Sequence, residues 1–188
     1  MGLSTGMSDE DLMLAVKKGD VTKLAELFER YHTRLYHFFL RLTYDRTISE
    51  DLTQQLFCRI IHYRLSYREG KGYFRSWLYQ AARNVYYDYH KGRTVHETTD
   101  MSPYAATLED RNETTGYTEE QYDLLGRALL QLDANDREVI ILSRFHKLKY
   151  EEIAQVTGKS VPAIKVQVHR ALKTLRKIYF SGEQNDKL

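Results

Sequence analysis

The chain has 188 residues, 42% apolar and 12% aromatic, with a formal net charge of +2, which is enough apolar material for one domain or two small ones. Its one cysteine, Cys58, excludes an internal disulfide and reads as a small core or boundary residue, and its seven histidines show no metal-ligand spacing. No run approaches the roughly 20 apolar residues that span a bilayer, and the first residues lack the basic-then-apolar order of a signal peptide, so the expectation is a cytoplasmic protein without membrane insertion.

Two prolines, no alternating strand-like runs, and apolar residues at three- and four-residue spacing nearly throughout predict an all-α fold. The small net charge conceals a division: residues 1–91 carry 14 basic and 11 acidic side chains, residues 92–121 carry 2 and 7, and residues 122–188 carry 12 and 8. The acidic strip holds Thr98, Thr99, Ser102, Pro103, Thr107, Asn112, Thr114, Thr115 and Gly116 with little periodicity. It is predicted to be a flexible acidic linker over 92–117, joining small helical domains at 8–91 and 118–180.

In chain order, Ser8 caps a first helix with Asp11 three residues on, ending near Gly19. Asp20 opens a longer helix with Val21, Leu24, Leu27, Phe28, Tyr31, Leu35, Phe38, Phe39 and Leu42 on one broad apolar face. Thr47 and Glu50 form a capping box for a third, with Leu52, Leu56, Phe57, Ile60 and Ile61 inward. Its opposite stripe is Asp51, Gln54, Gln55 and Cys58, either an ordinary solvated face or a partner-docking one.

The loop from Ser66 to Gly72, with Tyr67, Arg68 and Lys71, leads into a helix from Tyr73 to about Lys91. Phe74, Trp77, Leu78, Ala81, Ala82, Val85 and Tyr89 define its buried side. Turned away are Arg75, Tyr79, Arg83, Tyr86, Tyr87 and His90, with Gln80, Asn84 and Lys91 on the flank. Singly, each tyrosine fits an amphipathic rim; as a set, rings interleaved with cations are what holding unstacked bases along a phosphate backbone requires, which points to single-stranded nucleic acid.

Beyond the linker, Thr118 and Gln121 cap a helix carrying Leu124, Leu125, Ala128, Leu129 and Leu132, and Asp133 or Asn135 starts the next, with Val139, Ile140, Leu142 and Phe145. Tyr150 to Thr157 is a short helix, Gly158 is free to turn left-handed after it, and Ser160 caps a second helix with Pro162 in its first turn. Val161, Ile164, Val168, Leu172 and Leu175 form the apolar stripe of that helix. Its other side carries Lys165, Gln167, His169, Arg170, Lys173, Arg176 and Lys177. From Arg144 to Lys177 there are nine Lys or Arg and two acids, the footprint of a phosphate binder. Two amphipathic helices around a glycine also occur in bundles that bind nothing, but cap, turn, stripe and charge here agree on a DNA-binding helix-turn-helix with Lys159, Ser160, Ala163, Lys165, Gln167, Arg170 and Lys173 at the DNA.

The order and spacing of these parts resemble a bacterial RNA polymerase sigma factor of the extracytoplasmic-function type. Ser8-Asp-Glu-Asp-Leu12, Leu27-Phe-Glu-Arg-Tyr31 with Arg34-Leu-Tyr36, Glu50-Asp-Leu-Thr-Gln54 with Phe57, and Phe74-Arg-Ser-Trp-Leu-Tyr79 with Ala82-Arg-Asn84 and Asp88 resemble sigma domain 2. Leu132, Arg137-Glu-Val139, Tyr150-Glu-Glu-Ile-Ala154, Gly158, Ser160, Ile164-Lys165 and His169-Arg-Ala171 resemble sigma domain 4. The resemblance implies that Asp51, Gln54 and Gln55 bind the β′ clamp helices of core RNA polymerase and that the second domain meets the β flap. It also implies that Tyr67, Arg68, Lys71, Arg75, Tyr79, Arg83, Asn84, Tyr87, His90 and Lys91 open and read a minus-ten promoter element as single strand, and that the helix-turn-helix reads a minus-thirty-five element as duplex. Promoter DNA and an anti-sigma factor are the further partners implied, and initiation of a stress or envelope-response regulon is the role. The sequence departs from the family at Gln55, where an acid is common, at Gln167, where Arg is common and where an amide can pair with adenine, and at Pro162, where small flexible residues are frequent. The acidic linker is expected to thread the basic channel of the polymerase.

The rival reading is a helix-turn-helix transcription regulator that acts without polymerase, with residues 1–91 as a sensor or dimerisation body. It leaves the Arg/Tyr helix without a task. No Gly-rich phosphate loop, nucleophile–base pair, metal spacing or cofactor-binding pattern points to an enzyme.

Overall fold

The Ser8 side chain accepts a hydrogen bond from the Asp11 N–H and starts α1 (Asp9–Lys17). The structure, a computed structural model, describes residues 6–70, 72–94 and 119–185, with side chains for 6–70, 72–91 and 121–181. Lys71, Thr118 and, beyond Thr94, the predicted linker lie outside the described residues. The remaining elements are α2 (Lys23–Thr43), α3 (Arg46–His62), a 3-10 turn (Arg64–Ser66), α4 (Phe74–Thr94), α5 (Glu119–Leu130), α6 (Ala134–Ile140), a π-helical turn (Ile141–Phe145), α7 (Tyr150–Thr157) and α8 (Val161–Asn185). Every regular element among the described residues is helical, as the spacing of apolar residues predicts.

Local chemistry sets the boundaries. Tyr44 takes a left-handed conformation (φ 56°) at the end of α2, and Asp45 then caps α3 by accepting from the Ile48 N–H. The cap is therefore Asp45 rather than the Thr47/Glu50 pair, because the helix begins one residue before Thr47. Asp133 accepts from the Asn135 N–H and opens α6, and the Glu152 carboxylate accepts from the Lys149 N–H at the start of α7. Gly158 closes α7 at φ 72°, with its N–H returned to the Ala154 carbonyl, and the Ser160 hydroxyl accepts from the Ala163 N–H to begin α8.

α1 to α4 pack as a first body around Leu12, Leu35, Phe38, Leu56, Phe74 and Val85; α5 to α8 pack as a second around Leu129, Val139, Ile153, Ile164 and Val168. The two cores are continuous, because α4 lies against α7 and the end of α2 lies against α5 and the π turn. Gly126 makes the second contact possible: a side chain there would collide with the Tyr44 ring, whose hydroxyl donates to Asp123. Arg137 fastens the junction by donating to the carbonyls of Leu129, Leu130 and Leu132 at the end of α5 and to Leu42 of α2.

Three readings of facing are corrected. Tyr79 and Tyr86, placed outward on the sequence, are 1% and 6% exposed, because the second body covers that side of α4. Ile61, Val21 and Phe28, placed inward, are exposed, at a helix end, in a turn and on α2. Cys58 lies on the outer stripe of α3 and is exposed.

Candidate nucleic-acid interface

The helix-turn-helix is built by α7, the Gly158 turn and α8. Ile153, Val156, Ile164, Val168 and Ala171 are buried between the two helices and α6, which turns Lys159, Ser160, Ala163, Lys165, Arg170 and Lys173 to solvent. An open cleft of about 600 Å³ runs between α6 and the first half of α8, lined by Asp133, Asn135, Asp136, Lys159, Pro162, Ala163, Val166, Gln167 and Arg170.

Gln167 does not share the exposure of its neighbours. It is only 8% exposed; its Nε2 donates to Asp136 Oδ1 at 3.0 Å, and its Oε1 accepts from Lys159 Nζ at 2.8 Å. The charges fix which end is which, since a flipped amide would set NH₂ against the ammonium and the carbonyl against the carboxylate. Two hydrogen bonds to charged groups, each worth about 1.5–3 kcal/mol, exceed the roughly 1–3 kcal/mol that one amide–adenine pair offers. Asp136 also lies 3.6 Å from Arg170 Nη2. Sequence reasoning missed Asp136, whose partner on α8 is 31 positions away, and it missed Val166, an apolar residue 67% exposed on a cationic face.

The Arg/Tyr helix, α4, divides along its length. Arg68 in the preceding loop and Asn84, His90 and Lys91 on α4 are exposed. Arg75 Nη2 donates to the His146 carbonyl at 2.8 Å, the Tyr79 hydroxyl meets His146 Nδ1 at 2.9 Å, and Arg83 Nε stands 2.8 Å from Glu138 Oε1. Tyr87 donates to Glu138 Oε2 at 3.3 Å while its ring receives the Arg83 guanidinium at 4.7 Å. Tyr67 is buried, its ring against Phe74 and Trp77. Four of the predicted base-holding side chains, Arg75, Tyr79, Arg83 and Tyr87, thus contact the second body, and Tyr67 belongs to the first core.

Electrostatics follow this packing. Burial pushes the Glu138 carboxyl above its ordinary value against the pull of Arg83, and burial pushes the Tyr87 phenol up to about 12. His146, buried beside Arg41, His37, Arg75 and Arg34, is held well below the usual histidine range and is neutral. On α3, Asp51, Gln54 and Gln55 form an exposed stripe with Cys58 and Ile61, open to a partner.

Two family profiles match in the order of these bodies: Sigma-70 region 2 over residues 27–95 and Sigma-70, region 4 over residues 122–175. The chain belongs to the sigma-70 family. Similar relatives are the RNA polymerase sigma factor YlaC of Bacillus subtilis, 26% identical over 88% of this chain and 96% of the relative, and the extracytoplasmic-function sigma factor SigM of the same species, 26% identical over 86% and 98%. Among solved structures, that of CnrH in complex with the cytosolic domain of CnrY matches at TM-score 0.70 and 21% identity, over 92% of this chain and 97% of that one. The sigma factor RpoE with the anti-sigma factor NepR, from Bartonella quintana, matches at TM-score 0.70 and 23% identity, over 84% and 97%. These two likenesses concern the fold of the sigma factor.

Proposed function

We propose that the chain is the promoter-specificity subunit of a bacterial RNA polymerase, with the exposed α3 stripe of Asp51, Gln54 and Gln55 docking on the β′ clamp helices and the second body meeting the β flap. α8 reads the upstream promoter element as duplex, and α4 with its preceding loop holds the melted downstream element. The observation that carries this reading is the pairing of sigma-70 regions 2 and 4 in one chain, with an exposed basic face on α8. The domain limits remain 8–91, 92–117 and 118–180, and the place of work is the cytoplasm. Of the two solved structures similar in fold, one holds an anti-sigma factor and the other the cytosolic domain of CnrY, and an anti-sigma partner is proposed for this chain on that ground.

The test is pull-down with core polymerase followed by run-off transcription on genomic DNA. Discrete start sites that appear only when the chain is added support the reading. Tight, sequence-specific binding to a palindromic duplex by a dimer, with no effect on core polymerase, would favour the stand-alone regulator.

A further inference from the structure

The first two turns of α8 present an apolar patch that folding does not need. Ile164, Val168, Ala171 and Leu175 fill the core side of this helix, whereas Pro162 and Ala163 are exposed and Val166 is 67% exposed. The patch faces the same open cleft as Lys159 and Arg170. A β-branched residue on a solvated helix face is a weaker helix former than the Lys or Arg around it, so local stability gives no reason for Val166.

The major groove displays hydrogen-bonding edges and one apolar group, the 5-methyl of thymine. The amide best suited to an edge, Gln167, has its nitrogen given to Asp136 and its oxygen to Lys159. With that amide occupied, the uncommitted neutral surface of α8 is the apolar patch, and its match in the groove is the thymine methyl. Lys159, drawn to Gln167 across the turn that opens α8, sits where a cation can settle on a phosphate and set the register of the helix.

We infer that α8 selects its duplex by thymine methyls laid against Val166 and Ala163. Gln167 is a positioning residue: anchored by Asp136, it fixes the ammonium of Lys159 on the phosphate backbone, and it reads no base itself. This inference rests on the promoter-reading function proposed above and specifies the chemistry of that reading.

The experiment uses the full chain bound to core polymerase. The preferred upstream element is first selected from a random duplex library, and each thymine in it is then replaced singly by deoxyuridine, which removes only the methyl. At least one replacement is expected to weaken binding about fourfold, the worth of one buried methyl group. That penalty vanishes in Val166→Ala and persists in Val166→Ile; Val166 is exposed in the free fold, so circular dichroism of the variants matches the parent. Gln167→Ala and Asp136→Ala lower affinity by a similar factor at every base pair and are non-additive when combined, while Asp136→Asn, which still accepts from Gln167, stays near the parent. Tolerance of deoxyuridine at every thymine, or an undiminished penalty in Val166→Ala, overturns methyl reading. Loss of preference at a single base pair in Gln167→Ala but not in Asp136→Ala returns base reading to the amide. Failure to select any sequence with core polymerase present instead removes the parent function.

Discussion

His146 illustrates how one side chain carries the environment of several elements. Its ring lies between Phe38 of α2 and Tyr79 of α4, with Arg34, His37 and Arg41 of α2 and Arg75 of α4 as its charged or titratable surroundings. Burial is the larger cause of its lowered pKa and four nearby cationic or titratable neighbours add to it, so the folded ring stays neutral where an unfolded one takes a proton. Its contribution to stability is therefore intact above the ordinary pKa of 6.5 and is lost as pH falls below it. The slope is about 1.4 kcal/mol per pH unit at most. Denaturant unfolding at pH 7.5 and 5.5 measures this: the parent is expected to lose more stability across the interval than His146→Phe, and equal losses would assign the pH dependence to other groups. At the DNA face, Lys165→Ala and Arg170→Ala remove exposed cations that no core contact needs. Each is expected to weaken duplex binding evenly across sequences and to reduce the salt dependence by roughly one charge, read by titration at several salt concentrations.

Among the helices, α6 has only seven residues, too few to be stable by itself, and it is held by what it touches. Arg137 is its main fastening, since one guanidinium satisfies three carbonyls at the end of α5 and one at the end of α2. Burial lowers its pKa, but an Arg stays charged, so the group is a permanent donor. Arg137→Ala leaves four acceptors short of a partner and is expected to cost about 3 kcal/mol in chemical denaturation, with Arg137→Lys recovering little because an ammonium lacks the fork. A loss under 1 kcal/mol would mean that water replaces the guanidinium at no great cost. The helices themselves were legible because each is amphipathic on its own and carries local caps: Ser8, Asp133, Gly158 and Ser160 act within four residues of their partners. What local spacing leaves open is which polar side of a helix meets another body. Tyr79 and Tyr86 occupy the positions an exposed ring would occupy, and only the arrival of residues 138 and 146 against α4 turns that side inward. Gln167 was legible as a member of the basic face and illegible as a bridge, because Asp136 belongs to a different helix.

Across the whole molecule, the second body occupies the side of α4 on which melted bases would be held. Arg75, Tyr79, Arg83 and Tyr87 are engaged by His146 and Glu138, while Asn84, His90 and Lys91 are exposed. Single-strand binding by the free chain therefore competes with this packing, and the strength of the competition depends on Glu138, which is 3% exposed and holds both Arg83 and Tyr87. Removing that carboxylate strands the Arg83 guanidinium against a covered surface. The expected cost is about 2 kcal/mol, below the 3–5 kcal/mol of fully buried pairs because Arg83 keeps a quarter of its side-chain exposure. That moves the equilibrium between closed and open bodies by about 30-fold. Glu138→Ala should consequently bind a single-stranded oligonucleotide of the downstream element more tightly than the parent. Energy transfer between dyes on the exposed native Cys58 and on an exposed position of α8, Lys177→Cys, should fall in the same variant as the bodies separate. Glu138→Gln, which still accepts from Tyr87 but carries no charge, should lie between the two. Unchanged energy transfer together with unchanged single-strand affinity in Glu138→Ala would mean that apolar packing of α4 against α7, rather than this carboxylate, holds the bodies together.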